Sequence, residues 1–171
     1  MSKYRQEQVP GRCGAALLRV CLLLSGAGFS ACAVEAPPCP VVELAEQAEP
    51  APSAGCFAAT AAGLLLVQGM NGHVSVPGGS SLNDETPRCT AFRETWEETG
   101  LSLQPRELLT VFDTGFHLYR CAHDVDSGSI DPPPRLEVRT AFYLPVSDFA
   151  EYSWRFTYQR EIMQQLMAQP R

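Results

Sequence analysis

GSSLNDETPRCTAFRETWEETGL, the stretch from Gly79 to Leu101, contains the clearest structural signal in this chain. Its second half predicts a helix with two defined ends. Thr86 can cap the amino terminus, Pro87 suits the first helical position, and Gly100 suits the position just past the last turn. We therefore expect the helix to begin at Pro87 and to end just before Gly100.

The predicted helix has two different sides. Glu94, Glu97 and Glu98 are related by three and four residues, so their carboxylates fall within one narrow sector. Each like-charged pair costs about 0.2–0.5 kcal/mol, and the last turns of a helix favour cations rather than anions. A hard divalent cation would remove this cost, because Mg²⁺ and Mn²⁺ prefer carboxylate oxygens. The alternative is a solvated acidic face. The opposite side carries the residues that we expect to be buried, Cys89, Phe92 and Trp96.

The charged residues and glycines of this stretch follow one spacing: Gly79-x5-Glu85-x7-Arg93-Glu94-x2-Glu97-Glu98-x-Gly100-Leu101. This spacing resembles the Nudix box, the signature of the Nudix hydrolases. The one departure is Thr95, at a packing position that is usually apolar. The resemblance extends over about residues 55–168. It implies an α/β fold, a Nudix-type α/β/α sandwich with a mixed β-sheet.

Nudix enzymes hydrolyse a nucleoside diphosphate linked to another group, X, with the help of Mg²⁺ or Mn²⁺. The resemblance implies that metal binding and catalysis share the acidic side of the helix. Whether Glu97 or Glu98 accepts the proton of the attacking water stays open. The metal ligands implied are the Gly79 carbonyl, Glu94, Glu97 and Glu98.

Arg93 and Glu85 complete the implied catalytic set. Arg93 precedes Glu97 by four residues and is expected to orient carboxylates instead of touching substrate. A purely structural pair between these two residues is the alternative. Glu85 lies too far back for a helical partnership with Arg93, so only the loop geometry can bring them together.

Candidates outside the box are weaker. Glu137 is the candidate for a fourth metal-binding carboxylate, and its alternative is a solvent-facing strand position beside an arginine. The flanking Arg135 and Arg139 could instead bind phosphate bidentately. Phe116 and Tyr119 belong to an aromatic hairpin that could stack a base, although alternating aromatic residues on strands more often belong to the core.

The remaining patterns predict mostly strands. Asn71-Gly72 predicts a hairpin, and Pro77–Gly79 a turn. The predicted strands are Cys56–Ala61, Leu64–Gln68 (in a central position), His73–Val76, Glu107–Asp113, Phe116–Cys121 and Leu136–Leu144; a last helix is predicted at Tyr158–Met167, with Ile162, Met163, Leu166 and Met167 on its apolar side.

The amino-terminal third predicts export. Residues 1–31 have the layout of a signal peptide, with a positive start and an apolar run, and Cys32 stands where a lipobox would place the lipidated residue. Residues 32–54 are rich in Ala, Pro and Glu, as a solvated tether would be, and residues 55–171 form the domain. We expect a lipid-anchored protein on the periplasmic side of the cell envelope. The alternatives are a membrane anchor, or a misassigned start codon and a cytoplasmic protein.

The net charge limits the classes of ligand that we expect, and the cysteines indicate possible disulfides. The formal charge of −6 disfavours a nucleic acid polymer and agrees with a small diphosphate substrate bridged by metal. Oligomeric state is not encoded in any motif. Of the seven cysteines, Cys13 and Cys21 would leave with the signal peptide and Cys32 would carry lipid. The four that are left for disulfides have no predicted pairing, and Cys89 is expected in the core: Cys39, Cys56, Cys89 and Cys121. We expect a Nudix diphosphohydrolase, and the alternative is a non-catalytic diphosphate-binding or regulatory module on the same fold.

Overall fold

The computed structural model describes residues 36–39, 50–133 and 137–169. The chain divides into two compact units, Met1–Ala33 and Val34–Arg171, and all the described residues belong to the second. The predicted signal peptide, Cys32 and most of the predicted tether therefore lie outside the described residues. Within the described residues, no helix combines the length and the apolar character that crossing a membrane requires.

The described residues form eight strands and two α-helices. A 3₁₀ helix at Val146–Glu151 lies between the last strand and the last helix. The elements are β1 (Ser53–Phe57), β2 (Ala59–Thr60), β3 (Gly63–Gly69), β4 (Val74–Ser75), β5 (Gly78–Ser80), α1 (Pro87–Thr99), β6 (Gln104–Val111), β7 (Phe116–Ala122), β8 (Val138–Leu144) and α2 (Thr157–Met167).

The strands form two four-stranded sheets. The first has the order β5-β1-β7-β6, in which β1 and β7 run parallel and the other pairs are antiparallel. In the second, β3 pairs antiparallel with β2, β4 and β8. The expectation that Leu64–Gln68 lies centrally is confirmed. Parallel and antiparallel pairs together confirm the predicted mixed α/β architecture.

Side chains alternate along the strands between two cores. Leu64 and Leu66 of β3 join one cluster with Met163 of α2, whereas Leu65 joins a second cluster with Ala91 of α1. The strands therefore separate a core on the α1 side from a core on the α2 side. This is the layering of an α/β/α sandwich. The predicted apolar side of α2 is confirmed, because Ile162, Leu166 and Met167 pack around the cluster that contains Met163.

Helix α1 has the predicted ends. Thr86 accepts a hydrogen bond from the Cys89 backbone N–H, and Gly100 adopts the left-handed conformation with φ 79°. Its buried face differs from the prediction, because Trp96 and Cys89 are only half-buried. Threonines and small residues take their place, since α1 lies close against β1 and leaves little room for large side chains. The buried residues are Pro87, Thr90, Ala91, Phe92, Thr95 and Thr99.

The segment at Pro77–Gly79 is more than the predicted turn. Gly78 begins β5, which pairs antiparallel with β1. A Cβ atom on Gly78 would lie 2.6 Å from the Ala54 carbonyl oxygen, and φ at Gly78 is 155°, so a glycine lets the two strands approach. The Asn71-Gly72 hairpin between β3 and β4 is confirmed, with φ 84° at Gly72.

Other strands begin or end a few residues away from their predicted boundaries. The predicted strand Cys56–Ala61 divides into β1 and β2 at Ala58, whose carbonyl accepts a hydrogen bond from the Leu65 N–H. The predicted strand Glu107–Asp113 starts earlier, as β6, because Gln104 and Pro105 already pair with β7.

Two disulfides join the four described cysteines. Cys56 and Cys121 lie in the core on neighbouring strands, β1 and β7. Cys39 is bonded to Cys89 on α1. The prediction that Cys89 is a core residue is wrong, because its half-exposed position on the helix lets the preceding segment reach its sulfur.

Candidate functional site

Four of the predicted site residues line a cavity of about 610 Å³: Gly79, Glu94, Glu98 and Glu137. One side comes from β5 and α1, and the other from the β3–β4 hairpin, the start of β8 and the segment before α2. The lining residues that bear on the chemistry are Gly78, Gly79, Glu94, Glu98, Glu137 and Arg155. A second cavity of about 360 Å³, between β7 and the end of α2, is lined by none of the predicted site residues.

The glycines of β5 are fitted to the carboxylates of α1. The Gly78 N–H donates a hydrogen bond of 2.8 Å to Glu98 Oε2. The carboxyl of Glu94 lies so close to Gly79 that a Cβ atom there would be 2.6 Å from its carbon. Any side chain at residue 79 would therefore displace Glu94, which explains the need for glycine at the position whose carbonyl was predicted as a ligand.

Arg93 holds the loop and the carboxylates together. Its Nε and one terminal nitrogen donate to the two oxygens of Glu85, at 2.9 Å each. The other terminal nitrogen donates to Glu94 at 2.8 Å and to Glu97 at 3.3 Å. The Ser80 carbonyl accepts a further bond at 2.9 Å. The loop thus brings Glu85 to Arg93, and the arginine lies among carboxylates as an orienting residue would.

Glu85 is the most stabilised of these carboxylates. Burial alone would raise its pKa, but hydrogen bonds from Arg93, the Leu82 N–H and the Thr90 hydroxyl outweigh burial and lower the pKa. Glu85 therefore remains charged and serves as a fixed anchor for the arginine.

Glu98 and Glu94, in contrast to Glu85, have raised pKa values. Burial, together with the negative charges of Glu94 and Glu137, raises the pKa of Glu98 to about 8, although the Gly78 N–H and the charge of Arg155 act against it. Burial also raises the pKa of Glu94, and Glu97 and Glu137 add to the rise. The cavity therefore holds more negative charge than the protein itself balances.

Glu137 and Glu97 differ in whether they line the cavity. Glu137 lies just before β8, lines the cavity, and acts electrostatically on both Glu94 and Glu98. The fold thus brings the predicted fourth carboxylate to the others. Glu97 is held by Arg93 and does not line the cavity.

The residues present fit a hard divalent cation by their chemistry. The donors around the cavity are carboxylate oxygens and the backbone of Gly79, which Mg²⁺ and Mn²⁺ prefer, and their mutual repulsion is what such a cation would relieve. Over residues 36–39, 50–133 and 137–169, no three acidic, histidine or cysteine side chains converge into a metal-binding cluster.

The predicted substrate-binding residues lie outside the cavity. Tyr119 is buried in the core beneath the Arg88 guanidinium, 5.1 Å from its ring, so its expected contact with substrate is wrong and the core alternative is right. Phe116 is half-buried and packs against Phe112 at 5.8 Å between ring centroids. Arg139 is exposed beside the cavity, with one guanidinium nitrogen 3.5 Å from the Met70 carbonyl oxygen.

Sequence reasoning missed the contribution of Arg155, His73 and Asn71, which all line the cavity. His73 Nδ1 lies 2.8 Å from the Ser153 hydroxyl, so the hairpin is joined to the segment before α2. No local pattern marks these residues, because their proximity depends on pairing between parts of the chain that are far apart in sequence.

Comparison with known proteins agrees with this geometry. The sequence profile described as NUDIX domain matches residues 49–166. Among solved structures, the chain is similar to an ADP-ribose pyrophosphatase from Streptococcus suis 89-1591, with TM-score 0.55 and 18% identity over 70% of this chain and 92% of that one.

Two other solved structures show the same fold. A UDP-X diphosphatase is similar with TM-score 0.56 and 18% identity, over 69% of this chain and 63% of that one. A MutT protein from Bacillus halodurans is similar with TM-score 0.53 and 21% identity, over 70% and 83%. No curated protein sequence matches this chain.

Proposed function

Because the chain belongs to the NUDIX domain family, we propose that it is a metal-dependent hydrolase of a nucleoside diphosphate linked to X, or of a related diphosphate. The observation that carries the proposal is the group of carboxylates around one cavity. Glu94, Glu98 and Glu137 act on one another electrostatically there, and their charge is balanced only in part by Arg155. Such a group is costly unless a cation binds, so its chemistry favours a metal site over a passive surface.

The side chains suggest a division of roles. A divalent cation held by these carboxylates would neutralise the diphosphate and polarise its phosphorus. Glu98 is our candidate for the general base, because it lines the cavity while Glu97 is engaged by Arg93. Water adds to phosphorus, its proton passes to the Glu98 carboxylate, and the P–O–P bond breaks to release two phosphate-bearing products. Arg93 holds Glu94 in place by its hydrogen bond.

Hydrolysis of a panel of diphosphates, with Mg²⁺, with Mn²⁺ and with chelator, tests the proposal. The panel includes ADP-ribose and UDP-sugars, because proteins of similar fold are named for such compounds. We expect turnover that requires metal and falls by about 100-fold or more in Glu98→Gln. Glu151→Gln is the matched control, because Glu151 is exposed at the end of the 3₁₀ helix. A protein that binds metal and diphosphate but hydrolyses no member of the panel would favour the binding module.

We also propose that the protein is exported and lipid-anchored. The disulfides Cys39–Cys89 and Cys56–Cys121 support an oxidising compartment, since disulfides persist there and are rare in a reducing cytosol. Mass spectrometry of the amino terminus from native cells tests the anchor. A lipidated Cys32 at the start of the mature chain is the expected result, whereas an intact Met1 would exclude it.

A further inference from the structure

Two segments that form one wall of the cavity are joined by hydrogen bonds. Val74 follows the β3–β4 hairpin; its N–H donates to the Ser153 carbonyl, and its carbonyl accepts from the Arg155 N–H, each at 2.8 Å. The bond between His73 and Ser153 adds a third connection. We name residues 69–73 and 153–155 the hairpin side. The backbone that leads into Arg155 is therefore held in place by hydrogen bonds at Ser153 and at the Arg155 N–H.

Arg155 is the only lysine or arginine among the described residues that line this cavity. Its guanidinium lies over the Phe156 ring, 5.4 Å from the centroid, which restricts the side chain while leaving its N–H groups free to donate. No described carboxylate forms a salt bridge with it. The guanidinium of Arg155 is therefore a positively charged group, available to bind an anion, at the edge of an otherwise acidic cavity.

We propose that the hairpin side binds an anionic group on X, and that Arg155 is the residue that contacts it. This inference rests on the proposed function. A cation held by the carboxylates of the cavity would bind the scissile diphosphate, which leaves the guanidinium of Arg155 to bind a second anion. The substrate class is then a diphosphate whose X carries its own carboxylate or phosphate.

The geometry of arginine suits this role. A guanidinium can donate two parallel hydrogen bonds to a carboxylate or phosphate, whereas lysine offers a single point charge. Hydrogen bonds to charged groups contribute about 1.5–3 kcal/mol, which corresponds to about 10- to 100-fold in kcat/KM. The effect belongs in KM, because the bond does not change as phosphorus reacts.

The test compares two substrates that differ by one charge, UDP-glucose and UDP-glucuronate. We expect the wild type to have a kcat/KM about 10- to 100-fold higher for UDP-glucuronate. Arg155→Gln should abolish that preference, with the loss appearing as a raised KM for UDP-glucuronate. Arg155→Lys should keep part of the preference for UDP-glucuronate. Arg160→Gln, a change of the same kind on α2 away from the cavity, should keep all of it.

Binding measurements separate this inference from the proposed function. Calorimetry with Ca²⁺ in place of Mg²⁺ measures affinity for both ligands without turnover, and Tm confirms that each variant is folded. Tighter binding of UDP-glucuronate that depends on Arg155, without any hydrolysis in Mg²⁺, would support the anion site and reject the hydrolase. Equal losses on both ligands in Arg155→Gln would overturn the inference. A charge preference lost in Arg139→Gln but kept in Arg155→Gln would also overturn it.

Discussion

Glu98 is the residue of the cavity whose surroundings most favour a protonated carboxyl, with its pKa raised to about 8. Its carboxylate is buried, it faces the charges of Glu94 and Glu137, and one backbone N–H from Gly78 is its hydrogen-bond donor. A buried carboxyl of this kind takes up a proton when no cation is bound, which couples metal binding to proton release.

The metal-free protein should therefore become less stable as pH rises. A carboxyl whose pKa is higher in the folded state stabilises the fold below its unfolded pKa and loses that contribution as pH rises through the folded pKa. For Glu98 the window runs from about 4.5 to about 8. We expect Tm in chelator to fall across this window, less steeply in Glu98→Gln, and Mg²⁺ to restore Tm most at the alkaline end. A Tm with the same slope in both proteins would assign the pH dependence to other groups.

Arg93 is the residue whose geometry leaves least freedom for substitution. It donates to Glu85, Glu94, Glu97 and the Ser80 carbonyl at once, and its side chain is only 16% exposed. Lysine keeps the charge but cannot make the bidentate contact with Glu85. We expect Arg93→Lys to lose about 2 kcal/mol of unfolding free energy and to bind Mg²⁺ more weakly. Urea unfolding and metal titration measure both, with Arg160→Lys as the control; an Arg93→Lys protein of unchanged stability would contradict this account of the network.

At the scale of elements, helix α1 shows why its buried face was misjudged. Helical spacing separated the acidic side from a buried side, but the buried side is centred on smaller residues than predicted, which include Ala91, Thr95 and Thr99. The Thr95 hydroxyl donates to the Ala91 carbonyl at 2.7 Å, and the Thr99 hydroxyl donates to the Thr95 carbonyl at 2.6 Å. Threonines can therefore be buried here because their hydroxyl groups are satisfied within the helix.

We expect the substitution Thr95→Val not to lower the free energy of unfolding. The Ala91 carbonyl still accepts the helical N–H, so removing the hydroxyl leaves no buried group unpaired, and valine keeps the branched shape. We expect Thr95→Val to be neutral or to stabilise by up to about 1 kcal/mol. Thr95→Ala should lose about 1 kcal/mol or more, because a void remains. Urea midpoints distinguish the two. A clear loss in Thr95→Val would show that the hydroxyl has a partner beyond its own helix.

Local signals predicted the helices, the central β3 and the Asn71-Gly72 hairpin, because caps, periodicity and turn residues lie close together in sequence. The spacing within the box likewise predicted which carboxylates face one side. The pairing of β5 with β1 and the position of Arg155 could not be predicted, because both depend on contacts between distant segments. Tyr119 was misassigned as a candidate for a similar reason, since alternation along a strand does not say which face is buried.

The two disulfides join parts of the chain that are far apart in the sequence. Four cysteines allow three pairings, and sequence alone does not choose among them. The parallel pairing of β1 with β7 places Cys56 beside Cys121 in the core, and the remaining pair joins Cys39 to α1. The segment that precedes the domain is thereby fastened to the helix that carries the carboxylates.

The two disulfides should differ in accessibility to reductant. Cys56 is fully buried and Cys121 is 5% exposed, so a thiolate reaches their sulfurs only after the core opens. Cys89 is half-exposed on α1, so its bond to Cys39 can be attacked in the folded protein. Under mild reduction followed by alkylation, we expect peptide mass spectrometry to find Cys39 and Cys89 labelled first. Labelling of the other pair should require denaturant.

The same experiment relates the disulfides to the site. Neither Cys39 nor Cys89 lines the cavity that contains Glu94 and Glu98, so selective reduction should leave kcat/KM within about twofold, since Arg93 and the Gly78 N–H hold the carboxylates independently. Opening the Cys56–Cys121 disulfide removes a crosslink with a sequence separation of 65, for which loop entropy predicts a loss of about 4 kcal/mol. We therefore expect activity to survive the first reduction and to disappear with folding at the second. Loss of activity at the first step, with Tm unchanged, would mean instead that the Cys39 segment positions α1 for catalysis.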